Sequence, residues 1–495
     1  MQDLIRGKIV DGVKDAILKR KLRRYAQVFM ANFSISIQAT PWSILNEGID
    51  NALDFLRDNG VDAIHLNSHS YYGGGSGNHK DFHMWAPDHF AKDPAQRWQG
   101  MTGGAWIEHD PARFADIGLF HWYENEAPNS REFDAIVEAA HARDMRIHAR
   151  YLDGWETYRH SIDNWDEVLC VSPEGKKLTI PCFSNPRVRE WSHLTLEDIG
   201  RHPGIDGVLY GIERGTPLDD ILYFGQLPYC FCEHCRAGAS ERGIDMARVQ
   251  AGFEKLHAWA MRFREDPAYL PDQDPLEWLH TFYDDYPEAW AFNQMHVDNL
   301  LAVESEAAAP YRQGNPGGQF AALMHPTSRW FQGMTHDPEQ HVEHCQVLAP
   351  RLYEHIHGAR LMNDVRGRDR QRFLRCYSES MRWEISWRCY AGPQIPVPTD
   401  LDAIIHEGIP PEIPCQRVAD LHAQYGHEVE LQALIGVDIT HPFSERRATP
   451  TAYTETLSRD AVLAGAESII LCREYHEISG DSMRAARRGY EQARA

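Results

Sequence analysis

Short apolar runs alternate with helical patterns along the 495 residues, and this alternation predicts an α/β fold built on parallel strands. Eight such runs, most followed by a helical pattern, make the expected architecture a TIM (β/α)8 barrel with long insertions after strands two and four. Two further observations agree. Right-handed crossovers leave few other arrangements for so many parallel strands. Neither an internal repeat nor a low-complexity linker marks a second independent domain, and one barrel with long loops absorbs a length beyond the roughly 100–200 residues of an ordinary domain.

Residues 1–26 mix charges into every turn and read as an amphipathic helix ahead of a single barrel domain over 27–495. They lack the uninterrupted apolar stretch of a secretion signal, and no apolar run reaches the length of a membrane span, so a cytoplasmic location is expected. Strand one is expected over Gln27–Gln38, a helix over Ser43–Asp58 and strand two over Val61–Asn67. The first insertion, about 68–129, is rich in Gly, His and Trp; loops this long are usually functional or disordered, and its aromatic content disfavours disorder. Helix Arg131–Asp144 leads into strand three, Arg146–Leu152, and helix Pro186–Arg201 into strand four, Gly207–Glu213. The second insertion, about 214–314, carries a cysteine-rich segment and helical patterns over Met246–Arg264 and Leu276–Ala308. Strand five is Gln319–His325. For strand six, His357–Met362 and Trp383–Tyr390 compete. Glu428–Asp438 and Ser468–Glu474 complete the set, with helices Thr451–Leu463 and Gly480–Arg494 after them.

Fifty Lys and Arg stand against 72 Asp and Glu, a formal charge of −22. Such a surface repels phosphate backbones and anionic lipid, so neither nucleic acid nor membrane is an expected partner. Apolar residues at 43% and charged ones at 25% are globular values. Ten cysteines without an export signal point to a reducing compartment, where thiols are free or bind metal. Many of the 14 Trp, 20 Tyr and 19 Phe fall in polar, Gly-rich segments, which suits stacking on sugar rings; packing of a large core is the competing reading.

The barrel directs the search, because catalytic groups in this fold sit at the carboxyl ends of strands. Those positions offer His65, Asn67 and His69 after strand two, and His148, Arg150, Tyr151 and Asp153 around the end of strand three. Glu213 and Arg214 follow strand four, and His325 strand five. Asp438 and His441 follow strand seven, and Arg473, Glu474, Tyr475 and Glu477 strand eight. A carboxylate there needs a partner or a task, since burying it alone costs several kcal/mol. A salt bridge to Arg214 or Arg473 is the structural alternative.

Cys230-Phe-Cys232-Glu-His-Cys235 is the sharpest local signal. Three thiols within six residues can wrap one soft cation, and zinc takes four ligands in a tetrahedron. Among the other cysteines Cys182 stands out, in a Pro-Cys-Phe-Ser-Asn-Pro turn just before a helix. Four protein ligands close the coordination shell, which makes such a zinc structural. Three unmetallated neighbouring thiols are the alternative.

This Cys-x-Cys-x-x-Cys run after strand four, with a further cysteine in a Cys-x-x-x-Pro turn, resembles the zinc cluster of glycoside hydrolase family 42, β-galactosidases of a retaining TIM-barrel clan. Cys182–Glu190 resembles that family's cysteine turn, and Gly465–Leu471 its last strand. The resemblance implies Zn2+ on Cys182, Cys230, Cys232 and Cys235 and an acid/base role for Glu213. There are departures. The family has an asparagine before the acid/base glutamate, where Ile212 stands here, and a glutamate as nucleophile at the end of strand seven, where this chain has Asp438. The chain also stops after the eighth helix, where the family continues. The resemblance is therefore to a distant relative, and the galactoside does not carry over.

The expected function is glycoside hydrolysis of a small oligosaccharide or glycoside by two carboxyl groups, one protonating the leaving oxygen and one stabilising or trapping the oxocarbenium-like carbon. Glu213 is the acid/base candidate, Asp438 the first choice of nucleophile and Glu474 the second. A retaining route is preferred, although the shorter aspartate leaves inversion open. Substrate-binding candidates are His65, Asn67, His69, Tyr72, Trp85, His148, Arg150, Tyr151, Asp153, Arg214, His325, Arg473, Tyr475 and Glu477. His65, His69, His79, His83 and His89 raise a second metal as an open question. No organic cofactor is expected, and a homo-oligomer is possible. Two other classes remain: a sugar isomerase, epimerase or lyase using a metal on His148, Asp153, Glu213 and His325, and a non-catalytic carbohydrate-binding barrel.

Overall fold

The computed structural model describes residues 33–70, 104–121, 130–153, 162–212, 216–266, 268–324, 338–352, 365–366, 372–391, 395–438, 449–472 and 474–495. The expected helix over 1–26 and the start of the expected first strand lie outside them.

Eight strands form the barrel: β1 (Ile35–Ala39), β2 (Ala63–Asn67), β3 (Arg146–Asp153), β4 (Gly207–Ile212), β5 (Gln319–Met324), β6 (Val347–Leu352), β7 (Glu430–Gly436) and β8 (Ser468–Cys472). Each pairs in parallel with its neighbours in chain order, and β1 closes the ring by pairing with both β2 (Ile37 with Ile64) and β8 (Ile37 with Leu471). The fold is a TIM barrel, as the alternation of runs predicts.

The two-residue period of the strands sorts their side chains into two sets. Ile35, Ile37, Ile64, Leu66, Ile147, Val208, Ile435 and Ile469 belong to the large core shared with the helices. The alternate positions face the lumen. There Leu209, Ala321, Leu323, Val347, Ala349, Leu434, Ile470 and Cys472 make a separate apolar cluster. The same alternation puts Gln38, His65, His148, Arg150, Gln319 and Gln432 into the lumen, all of them buried. The lumen thus has an apolar part and a polar part. Gln319, Glu430 and Gln432 bond to one another: the Gln432 amide donates to Gln319 (3.2 Å) and to Glu430 (3.1 Å), and Gln319 donates to Glu430 (3.2 Å).

Three expectations are corrected. Strand six is Val347–Leu352, neither of the two candidates. Pro350 within it breaks the strand pattern, since proline cannot donate to a ladder; the register with β7 runs Leu348 with Leu431 and resumes at Arg351 with Leu434. Trp383–Tyr390 lies in a helix, Glu379–Ala391, where Trp383, Trp387 and Tyr390 share one buried face. His357–Met362 lies outside the described residues. The expected helix Ser43–Asp58 is two, α1 (Pro41–Glu47) and α2 (Ile49–Asp58), because Gly48 adopts φ +85° between them.

The barrel helices that matter below are α3 (Ser130–His141) and α4 (Pro186–Arg201), the latter started by Pro186 and by Asn185 accepting from the Arg187 amide. The second insertion holds α5 (Glu233–Glu241), α6 (Met246–Glu265), α7 (Pro275–Asp285) and α8 (Pro287–Glu306). The single helix expected over Leu276–Ala308 is thus also divided, at Pro287, which has no amide to continue the preceding helix. These helices enclose a core of their own, with Phe231, Phe253, Trp259, Phe282 and Phe292. Helices α9 (Thr451–Leu463) and α10 (Gly480–Arg494) follow β7 and β8. No helix of the described residues is long and apolar enough to cross a membrane.

Candidate functional site

Three strand ends converge at the carboxyl mouth of the barrel. Arg150 lies in register with Asn67 on β2 and with Leu209 on β4. Its Nη1 donates to Asn67 Oδ1 at 3.0 Å and to Glu474 Oε1, just beyond β8, also at 3.0 Å. The Arg150 and Glu474 side chains are only 5% and 3% exposed. Two charges so deep repay their desolvation only when paired and hydrogen-bonded, as these are.

Deeper in the lumen His65 and His148 are register neighbours with ring centroids 5.1 Å apart, and Phe33 meets both edge-on. Burial disfavours their charged forms: His65 is held well below the usual histidine range, and His148 is lowered to about 4 against the opposing pull of Asp206. Neither ring has a hydrogen-bond partner among the described residues.

Asp438 sits in a different setting. Its backbone is left-handed, φ +53°, and its side chain is buried. Oδ1 accepts from the Thr449 amide (2.8 Å), while Oδ2 accepts from the Ser479 amide (2.9 Å) and hydroxyl (2.8 Å). Burial raises its pKa, and the Ser479 and Thr449 bonds oppose that. The carboxylate thereby ties the end of β7 to the segments that begin α9 and α10.

Tyr151 points the other way from Arg150, as period two requires, and packs in the helical layer against Tyr210 (5.8 Å) and Trp191 (6.4 Å). Tyr475 likewise faces outward, its hydroxyl donating to Glu47 Oε2 of α1 at 2.5 Å. Glu477 is buried, its amide closing a turn on the Glu474 carbonyl (2.9 Å). His69 lies beside Tyr151 (5.0 Å), also outside the lumen. Tyr72, Trp85, Glu213, Arg214, His325 and Arg473 fall outside the described residues, as does the Asp153 side chain. The strand before Glu213 is nevertheless anchored, since the Ile212 amide donates to the buried Glu304 of α8 at 2.7 Å.

The cysteines assemble. Cys182, from the turn before α4, has Sγ 3.5 Å from that of Cys232 and 3.4 Å from that of Cys235, and Cys230 completes a set of four whose sulfurs all lie within 4.8 Å of one another. Four thiolates at about 2.3 Å from one tetrahedral ion would stand roughly 3.8 Å apart, so the arrangement fits a metal such as zinc. The electrostatics agree. Hydrogen bonds from neighbouring thiols, Cys170 first among them, lower Cys230 to about 4 and Cys182 well below the usual thiol range, while Cys232 and Cys235 are pushed up. So close together the sulfurs cannot all ionise unless they share a cation.

The sequence reading missed two groups here. Cys170 donates to the Pro181 carbonyl (3.5 Å) beside the cluster; no CxxC-like spacing flags it. Glu47, which burial raises to about 7, ends α1, the helix near whose start the Trp42 indole tilts against His476 at 4.8 Å. No strand end precedes Glu47 directly, so a search of strand ends passes it by.

No protein-family model matches the chain, and no curated protein sequence does. Among solved structures the fold is similar to that of a β-galactosidase from the psychrophilic Marinomonas ef1, at 12% identity and a TM-score of 0.50, over 93% of this chain and 60% of that one. It is also similar to a polyextremophilic β-galactosidase from the Antarctic haloarchaeon Halorubrum lacusprofundi, at 10% identity and a TM-score of 0.52, over 93% and 58%. The chain thus spans about 60% of their length, and at such identities the likeness is one of fold.

Proposed function

We propose that the protein is a glycoside hydrolase whose site lies at the carboxyl mouth of the barrel, with Glu474 and Glu213 as its two carboxyl groups. The observation that carries this reading is the buried Arg150–Glu474 pair, held with Asn67 where strand ends converge. A guanidinium at 3.0 Å compensates the charge of a carboxylate that must face a developing oxocarbenium ion. Asn67 adds a neutral amide suited to a sugar hydroxyl. Asp438 is assigned a structural task instead, because three protein hydrogen bonds already occupy its oxygens. Glu213 supplies the acid: it protonates the leaving oxygen, then takes the proton from water. The galactosidase neighbours support a carbohydrate substrate class, and the identity of the sugar is a matter for experiment. The cysteine cluster holds a structural zinc ion in this proposal, with no part in the chemistry.

The test is turnover on a panel of aryl glycosides by the wild type, Glu474→Gln and Glu213→Gln. Each variant is expected to lose about 10²–10⁴-fold in kcat. Glu213→Gln should retain more activity on substrates whose phenolate leaves without protonation. Full activity in Glu474→Gln would remove that residue from the mechanism, and inactivity of the wild type across the panel would sink the hydrolase reading.

A further inference from the structure

Three histidines meet outside the lumen, between the end of β2 and α4. His69 pairs with Ala105 in a two-residue ladder, His109 follows shortly after, and His121 belongs to a second short ladder with Ile162. Their ligand nitrogens all lie within 4.8 Å of one another. His69 and His109 are buried and His121 partly so. The group shares no residue with the cysteine cluster or with the Arg150–Glu474 pair.

The hydrogen bonds constrain where the protons are. Asp198 of α4 is paired with Arg113, and it accepts from His109 Nδ1 at 2.9 Å. A carboxylate only accepts, so His109 carries its proton on Nδ1 and presents a lone pair at Nε2. That nitrogen faces His69 Nε2 at 3.0 Å. On its other side His69 Nδ1 lies 3.1 Å from the Ser68 hydroxyl, which also lies 3.3 Å from the Arg150 carbonyl. When Ser68 gives its hydrogen to that carbonyl, His69 Nδ1 is the donor, and two lone pairs oppose each other at 3.0 Å. A cation, either a shared proton or a metal ion, would then have to lie between them. When Ser68 donates to His69 instead, the row is an ordinary hydrogen-bonded chain.

We propose that the first arrangement operates, and that His69, His109 and His121 bind a divalent transition-metal ion. Two nitrogens each about 2.0–2.1 Å from one ion stand roughly 2.9–3.4 Å apart at right-angled to tetrahedral geometry, and the observed 3.0 Å falls in that range. Asp198 behind His109 supplies the carboxylate that orients ligating imidazoles and raises their basicity. Burial keeps the three rings in the neutral form that ligates: His109 is lowered to about 3, and His69 and His121 well below the usual histidine range. One ring must move. His121 stacks on His109 at 3.7 Å and 9°, with Nε2 3.2 Å from the Thr195 hydroxyl. The plane of a ligating imidazole contains its metal–nitrogen bond, so two ligands of one ion cannot remain stacked, and binding turns His121 off that face.

Cobalt tests this without reference to catalysis. Co2+ is titrated into protein freed of metal by chelator, with absorption and proton NMR as readouts. A cysteine site gives an intense thiolate-to-cobalt charge-transfer band, whereas an imidazole site gives only weak d–d bands and hyperfine-shifted imidazole N–H signals. The wild type is expected to show the imidazole signature, with one equivalent of cobalt lost in His69→Gln and in His109→Gln, and with Cys230→Ser losing only the thiolate band. A wild type whose cobalt spectrum contains thiolate bands and no shifted imidazole N–H signals would overturn the proposal in favour of the hydrogen-bonded chain. The wild-type spectrum decides even if a variant fails to fold.

Discussion

Asp438 and Glu474 are both buried carboxylates at the ends of barrel strands, and the proposed mechanism assigns them different tasks because their surroundings differ. Asp438 spends its oxygens on Thr449 and Ser479, so Asp438→Ala strands two amides and a hydroxyl. It should cost about 2–4 kcal/mol in urea unfolding. Glu474→Gln keeps the shape and an acceptor for Arg150 but leaves the buried guanidinium without its counter-charge, so it too should lower the urea midpoint, and what separates it from Asp438→Ala is the loss in kcat that the folded variant shows. The opposite pattern, with Asp438→Ala stable and inactive, would exchange the two roles. Glu47 makes a pH prediction. Burial raises its native pKa to about 7, with the Tyr475 hydroxyl opposing, so between about pH 4.5 and 7 the native state holds a proton that the unfolded chain has released. Stability from this group therefore falls as pH rises through that window and is level above it. Glu47→Gln cannot ionise, and its unfolding free energy relative to the wild type should increase between pH 5 and 8 by up to roughly 3 kcal/mol. A pH-independent difference would mean that Glu47 does not carry the shift.

At the scale of elements, legibility followed how much of an element's pattern was local. Apart from Gln319 and Ser468 at their starts, β4, β5 and β8 are uninterrupted apolar runs, and α4 announces itself by Asn185-Pro186, so residue order alone located them. β6 was hidden by Pro350, which only its neighbours in the closed barrel make tolerable, and Trp383–Tyr390 misled because its aromatic content suits a strand while its i, i+4, i+7 spacing is helical. The site divides in the same way. Asn67, Arg150 and Glu474 could be nominated from strand ends, but their convergence depends on closure between β1 and β8. The His69 cluster was less visible still, since His109, His121 and Asp198 are distant in sequence. Gly207 shows the barrel constraining a single position: a Cβ there would stand 2.5 Å from His148 Nδ1 and 2.9 Å from the Gln319 carbonyl. His148 occupies the lumen space beside β4 that a side chain would need. Gly207→Ala should cost about 1–3 kcal/mol, and the pair Gly207→Ala with His148→Ala should recover part of it in a double-mutant cycle. Strict additivity would show that the backbone contact, not the imidazole, sets the penalty.

Among the described residues there are two large apolar cores, one shared by the barrel strands and their helices and one centred on the second insertion, which also takes in Cys170, Leu178, Cys182, Phe373 and Leu374. The cysteine set joins elements of both. Cys182 precedes α4, whose Val188, Trp191 and Leu196 belong to the barrel core, while Cys230, Cys232 and Cys235 lead into α5 of the insertion. An ion held by all four would therefore couple the insertion to the barrel, and binding free energies of about 10–16 kcal/mol for structural zinc in small peptides indicate how strong such a coupling can be. The barrel closes through its own strand ladders and does not depend on this link. The insertion core lies beyond it. Removing the metal with a chelator, or breaking the set with Cys230→Ser, should therefore act unevenly. Amide hydrogen exchange should accelerate across α5–α8 while the interiors of β1–β8 stay protected, and thermal unfolding should separate into two steps from one. Because β4 ends at the Ile212 amide held by Glu304 of α8, activity should decline with the first step, as the anchor next to Glu213 loosens. Uniform acceleration of exchange in barrel and insertion alike would show that the two cores fold as one unit, with the cysteines contributing no specific link between them.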